Sequence, residues 1–235
     1  MCNRRKEPRL DGLSTELEKT MFSERIVKLS RLLANISEFI GRIGSWAILP
    51  LVFITMWDVA VRKVKFGDFS MQLWLIENGG SVFESTKIQE WEWHFHTILF
   101  SLVLGYCYVN NRHVRVDLVR ENLAPRKQAW IELLGCSLFM VPYCVIVTWF
   151  ATEYAYGAWE TNEISASTVG LSHRWIIKSV LVFGVAAAGI AGIAVWLQSA
   201  LVLFGPKELR FELMTLEWPE DQEKRIEAGR RKAKA

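Results

Sequence analysis

Four histidines, two carboxylates set in apolar runs and one charged cluster are the residues of this 235-residue chain that could do chemistry. His94, His96, His113 and His173 invite a haem or metal reading, because imidazole is a common axial ligand in haem proteins. Their spacing opposes it. His94 and His96 stand two apart and diverge on a helix, while His113 lies 19 residues beyond His94, about 28 Å along a helix. Only His94 or His96 with His173 could meet, and then at the edge of the apolar runs. Asp58 precedes Arg62 by four residues, so the two can pair on one helix face; Glu132 lies close enough to a run's end to reach the headgroups. An enzyme needs a nucleophile and base, or acidic ligands, converging on one point. Inside the runs the polar inventory is mostly Ser45, Thr55, Ser101, Thr148 and Gln198. No catalytic residue, cofactor or metal site is expected.

The charged cluster is residues 110–121, NNRHVRVDLVRE, between FHTILFSLVLGYCYV and WIELLGCSLFMVPYCVIVTWF. Its meaning depends on the solvent around its neighbours. The apolar residues collect in four blocks, 43–61, 91–109, 129–151 and 175–204, and charges fill the gaps. A membrane-crossing helix needs about 20 mostly apolar residues; the second block suffices only if Trp91-Glu92-Trp93-His94 sits at headgroup level. A soluble helix would keep a polar stripe, whereas VLVFGVAAAGIAGIAVWL in block four is apolar all round. Trp46, Trp57, Trp91, Trp93, Trp130, Trp149, Trp159 and Trp175 fall near block ends, where indole rings favour the membrane interface. These features predict an all-α integral membrane protein with four transmembrane helices. Pro50 and Pro142 should kink their spans. In span four, Gly184, Ala188 and Gly192 recur every fourth residue and offer a groove for close helix packing. At 30 residues, about 45 Å, that span must tilt or project beyond the hydrocarbon.

Charge sets the expected orientation. The leader (1–42) carries nine Lys or Arg, the loop 110–128 five and the tail (205–235) eight, against four in the first gap and two in the third. Basic residues stay cytoplasmic, so both termini and the 110–128 loop face the cytoplasm, and loops 62–90 and 152–174 face outward. The net charge of +3 is thereby a topological excess and implies no nucleic-acid partner. No signal peptide is apparent, and the first span is expected to be retained. In the leader, Phe22, Ile26, Leu29, Leu33, Ile36, Ile40 and Ile43 recur at helical spacing opposite Ser23, Glu24, Arg25, Lys28 and Arg31. This predicts an amphipathic N-terminal helix lying in the membrane interface or packed on a partner's helix. The first outer loop should hold a short surface helix before Gly79-Gly80. The four cysteines show no paired spacing, so no disulfide framework is indicated.

Asn111-Arg112-His113-Val114-Arg115-Val116-Asp117-Leu118, placed between a second and a third span, resembles the signature of the small permease subunits of TRAP transporters, the DctQ type. The basic APRKQAW, the Asn162-Glu163-Ile164-Ser165 element and the run from Thr168 through Gly170-Leu171-Ser172-His173 to Lys178 resemble further family elements. Ser172 stands where proline is usual. The resemblance covers about residues 40–205. It implies a tripartite system of the bacterial inner membrane, in which a periplasmic binding protein delivers an organic acid. A large membrane subunit would carry the substrate and sodium sites, and the small one would enlarge its scaffold, without a cofactor of its own. On this resemblance Arg112, His113, Arg115 and Asp117 dock the large subunit or contact membrane lipids, with Asp117 able to cap a helix starting at Leu118. Glu160 and Glu163 are the expected contacts of the binding protein. Two alternatives are a haem-bearing electron-transfer subunit and a stand-alone four-helix transporter.

Overall fold

A computed structural model describes residues 10–66, 69–113, 123–167 and 169–205, with the side chains of 10–20, 66 and 125 left aside. The described chain is helical apart from one small hairpin. Helix α1 (Leu10–Ser45) leads into α2 (Ile48–Lys63). Strands β1 (Lys65–Phe66) and β2 (Phe69–Ser70) pair antiparallel, with Lys65 opposite Ser70. Then come α3 (Met71–Gly79), a 3₁₀ turn (Ser81–Phe83) and α4 (Ser85–Val109). After the 110–124 segment, α5 (Pro125–Gly135), a π turn (Cys136–Met140) and α6 (Val141–Glu160) form one rod, and α7 (Trp175–Phe204) closes the bundle. The short surface helix expected before the glycine pair is α3. It stops at Gly80, whose φ of +80° is costly for any residue with a Cβ.

Three stretches are long and apolar enough to cross a membrane: Met21–Lys63, Arg126–Glu160 and Trp175–Phe204. Helix α4 has the length, 25 residues, but Lys87, Glu90, Glu92, His94 and His96 dilute its first half. Helix α7 is the axis of the bundle, and its Ala188, Ala191, Ala194 and Val195 are fully buried. Gly184 meets Ser101 of α4 and Ala187 meets Gly105, so α4 runs parallel to α7. Gly189 meets Cys144 and Gly192 meets Met140, so the α5–α6 rod runs antiparallel to it. The end holding α7's first turn is termed distal here, and that holding Phe204 proximal.

Two prolines locate the irregularities. Pro50 cannot donate to the Trp46 carbonyl, which instead accepts from the Leu49 N–H at 3.2 Å; Trp46 and Ala47 donate three residues back, to Ile43 and Gly44. The stretch 43–61, expected as one span, is therefore two helices meeting at residues 46 and 47. Pro142 likewise has no N–H for the Leu138 carbonyl, and the π turn sits immediately before it, with the Val141 N–H reaching five residues back to Cys136. The helix expected over 129–151 continues through this turn to Glu160.

Helix α1 departs most from expectation. Its buried residues are Ser23, Ser30, Ala34, Ser37, Gly41 and Gly44, continued by Ala47 in the turn. The apolar series read from the sequence lies beside this stripe: Phe22, Leu29, Ile36 and Ile43 are exposed, and Ile26, Leu33 and Ile40 half-buried. The Ser30 and Ser37 hydroxyls donate to the Ala194 and Ala187 carbonyls of α7 at 3.0 and 3.3 Å, so α1 runs antiparallel along α7. The boundary expected at residue 42 falls inside this helix. The physical reason is that large apolar side chains gain nothing by leaving lipid for protein, whereas small ones let backbones approach.

Candidate assembly site

The turn after α4 is built by its asparagines. The Arg112 N–H donates to the Cys107 carbonyl at 2.8 Å and the Asn111 N–H to Tyr108 at 3.2 Å, with Asn111 at φ 53°. This is a Schellman ending with Asn at the left-handed position. It turns Arg112 and His113 outward, and both are exposed. Arg115 and Asp117, the other expected docking residues, lie outside the described residues. Helix α5 then opens with Pro125 at its first turn, where the missing N–H costs nothing. Beneath this turn the Tyr108 hydroxyl donates to Glu132 Oε1 at 3.1 Å and lies 3.0 Å from the Cys136 thiol, tying α4 to the α5–α6 rod. Farther along the rod, the Trp196 indole donates to the Ser137 hydroxyl at 2.7 Å.

Helix α6 ends in the same way. Glu163 N–H donates to the Ala158 carbonyl at 2.9 Å and Asn162 to Trp159, with Asn162 at φ 46°. The turn carries Glu163 back over the bundle, where its carboxylate pairs with the Lys178 ammonium and with Arg174 at 3.6 Å. Lys178 is 8% exposed and its ammonium stands 3.5 Å from the centre of the Tyr154 ring. A buried ammonium needs both partners. Glu163, expected as a binding-protein contact, thus has an internal partner; Glu160 is exposed.

Two more carboxylates organise the distal end. Asp58, 5% exposed, receives the Arg62 guanidinium on both oxygens and the Ser85 hydroxyl at 3.3 Å, which joins α2 to α4. Gln89, with its amide oxygen toward Arg62, accepts from Nη2 at 2.6 Å. Glu90 anchors the loop between α6 and α7 by accepting from the Ser165 hydroxyl and the Leu171 N–H. Burial alone would raise the Glu90 carboxyl. The Leu171 and Ser165 donors, helped by Arg174 and His94, outweigh it and hold the group below its ordinary value. Gly170 crosses so close to Ser165 and Glu90 that no Cβ fits there. His94 Nδ1 lies 2.6 Å from the Glu90 carbonyl, and His173, at φ 62°, has Nδ1 2.9 Å from the Ser172 hydroxyl.

The small residues of α7 serve two different neighbours. A Cβ on Gly184 would stand 2.6 Å from the backbone of Ser101 in α4, and one on Gly192 would stand 2.9 Å from Met140, before α6. Ala188 between them is fully buried. Sequence reasoning missed Glu90 and Lys178. A signal existed for Lys178, an ionisable residue just inside an apolar block that must find a counter-charge; Glu90 carried none.

Apolar helices of membrane-crossing length, with polar groups gathered at the two ends and large apolar side chains along the flanks, define a helical membrane protein, and the described residues hold no group of three or more His, Cys, Asp or Glu side chains placed to bind a metal ion. The family model described as tripartite ATP-independent periplasmic transporters, DctQ component, matches residues 51–201. The chain belongs to this family, and is thus a small permease component of such a transporter. The match runs from α2 into α7, so the turn after α4 and the distal clusters all lie within it. No curated protein and no solved structure gave a match.

Proposed function

We propose that this chain is the static scaffold subunit of a sodium-coupled TRAP transporter in a bacterial inner membrane, with four spans and both termini in the cytoplasm. The spans are drawn from the α1–α2 rod, the 91–109 part of α4, the α5–α6 rod and α7, which leaves Glu90 in the outer loop. In this reading the distal end is periplasmic, and the N-terminal helix is a bundle member along its second half, in place of lying flat in the interface. The substrate, an organic acid handed over by a periplasmic binding protein, and the sodium ions bind on the large subunit. One observation carries the reading. Of the ionisable groups set into the bundle, Asp58, Glu132, Glu163 and Lys178 are engaged by neighbours of the same chain, and Glu92, near the distal end of α4, is the exception, with one buried oxygen lacking a hydrogen-bond partner among the described residues. A carrier would instead present such groups to a substrate path.

Docking of the large subunit through the exposed apolar flanks is aided by Arg115 and Asp117, and Glu160 is the contact offered to the binding protein. The test is reconstitution. Purified alone into liposomes, the chain should give no substrate uptake, whereas co-expression should recover a multi-span partner and, with the binding protein, sodium-dependent uptake. Full uptake by the isolated chain would refute the scaffold role, and a Soret band in the purified protein would favour the electron-transfer alternative.

A further inference from the structure

We propose that the outward face of α4 binds one anionic phospholipid, its phosphate on Arg112 and one acyl chain along Leu99, Val103 and Cys107. Those residues, with Phe100 and Leu104, line a groove of about 350 Å³ that His96 borders at the distal end and that Arg112 and His113 close at the proximal end. The opposite face of α4, carrying Ser101, Gly105 and Val109, is buried against α1 and α7, so the groove faces away from the bundle.

The lining changes character along its length in the way a lipid does. Leu99 to Cys107 is eight residues, about 12 Å of helix, close to the roughly 15 Å depth of one leaflet's hydrocarbon. At its proximal end the surface passes directly to a guanidinium. The main chain of Arg112 is fixed there, because its N–H is bound to the carbonyl of the groove residue Cys107, and its exposed side chain starts at the groove's mouth. Its planar donors suit a phosphate. An apolar protein helix could fill the same groove only by bringing an acidic side chain to the level of Arg112; a phospholipid has both parts already. The surrounding charge selects among lipids. Residues 110–127 hold five basic residues against Asp117 and Glu121, and Arg126 and Lys127 are exposed at the same end. A local positive excess favours an anionic headgroup over a zwitterionic one.

The inference rests on the proposed placement of α4 as a span. The full chain, stripped of native lipid in detergent, would be offered phosphatidylglycerol and phosphatidylcholine in equal amounts and the lipid retained per chain read by native mass spectrometry. Phosphatidylglycerol should be retained about fivefold over phosphatidylcholine, the weight of one basic group near an anionic surface. Arg112→Gln, at an exposed position, should bring the two to parity, and Val103→Trp should lower retention of both. Equal retention by the unsubstituted chain, or an undiminished preference in Arg112→Gln, overturns the proposal. So does a photo-crosslinker at position 104 that captures a polypeptide and no phospholipid in native membranes. Labelling of Arg112→Cys by an impermeant maleimide from either side, in a chain whose four native cysteines are replaced by serine or alanine, reads the orientation separately, so failure of the topology and failure of the lipid site give different results.

Discussion

Replacing Gly184 with alanine tests how closely α4 and α7 are packed. The added Cβ would lie 2.5 Å from the Ser101 Cβ and 2.6 Å from both its carbonyl carbon and its oxygen. Carbon atoms rest at about 3.5–4.0 Å, so α4 must retreat by roughly 1 Å. No rotamer change can relieve it, because two of the three obstacles are backbone. Overpacking of this kind costs about 1–3 kcal/mol, and an obstacle that cannot rotate away belongs at about 3. The retreat also opens a gap at the next contact, Gly105 against the Ala187 carbonyl, where a shift of this size forfeits about a quarter to a half of the dispersion energy. Against that, alanine is favoured over glycine inside a helix by about 1 kcal/mol. The net expectation is a loss of about 2 kcal/mol, roughly a thirtyfold fall in the folded-to-unfolded ratio. Denaturing-detergent titration of the purified chain in mixed micelles, followed by tryptophan fluorescence, would measure it. Gly135→Ala and Gly157→Ala are the controls: a Cβ at either site meets nothing within 4 Å, so both should be neutral or slightly stabilised. Ser101→Gly should restore only part of the Gly184→Ala loss, since the backbone obstacle stays. A Gly184→Ala chain as stable as Gly157→Ala would refute the close packing.

Three further outcomes follow from the clusters at the ends. Glu163→Ala leaves the buried Lys178 ammonium without its carboxylate and should destabilise the chain by about 3 kcal/mol, whereas Glu163→Ala with Lys178→Met should recover most of that in the same titration. Asn111→Ala and Asn162→Ala each force a Cβ-bearing residue without a local hydrogen-bonding group into the left-handed region and should cost about 1 kcal/mol, while Asn→Gly at the same sites should not. Glu90 is a carboxyl held below its ordinary value, 4.5. Its stabilisation of the α6–α7 loop is therefore present above that value and lost as pH falls through the lowered one. Pepsin cleavage within the 161–174 loop, referenced to an unfolded control at each pH, should accelerate across that acid window, and Glu90→Gln should remove most of the pH response.

Much of this architecture can be read from apolar runs, and span four, residues 175–204, coincides with α7. Long apolar runs are legible because length and composition alone decide membrane crossing. The interior of the bundle is less so. Pattern reading assigns the inward face to the largest apolar residues, which holds for helices in water. In α1 that rule selects Phe22, Leu29, Ile36 and Ile43, all of which face out, and passes over Ser30, Ala34, Ser37 and Gly41, which face in. The same inversion explains why Gly184 could be picked out as a packing residue but not assigned a neighbour. Ion pairs were legible only when both members lay one helical turn apart on the same helix, as Asp58 and Arg62 do. The Glu163–Lys178 pair needs the Schellman turn at Asn162 to bring its members together, and nothing in their spacing of 15 residues announces that.

That inversion also bears on how a scaffold chooses its partner. With the small residues spent on the bundle, the flanks present Phe22, Leu29, Phe39, Phe53, Phe139 and Phe183, all more than 45% exposed. Between such flanks and another apolar helix, burial from lipid supplies no hydrophobic force, so affinity must come from shape and selectivity from polar groups at the ends. Most end groups are already committed: Asp58 to Arg62, Glu90 to the Ser165 loop, Glu163 to Lys178. Exposed Glu160 at the distal end, bonded to the Tyr156 hydroxyl one turn earlier on its own helix, and Arg126 and Lys127 at the proximal end are the outward-facing groups that can discriminate between partners. A charge reversal at Glu160 should therefore impair assembly or delivery where the same change at Glu163 would first impair folding. Recovery of intact complex scored beside the stability of the isolated chain separates the two effects, and equal folding defects at both positions would show that Glu160 is structural after all.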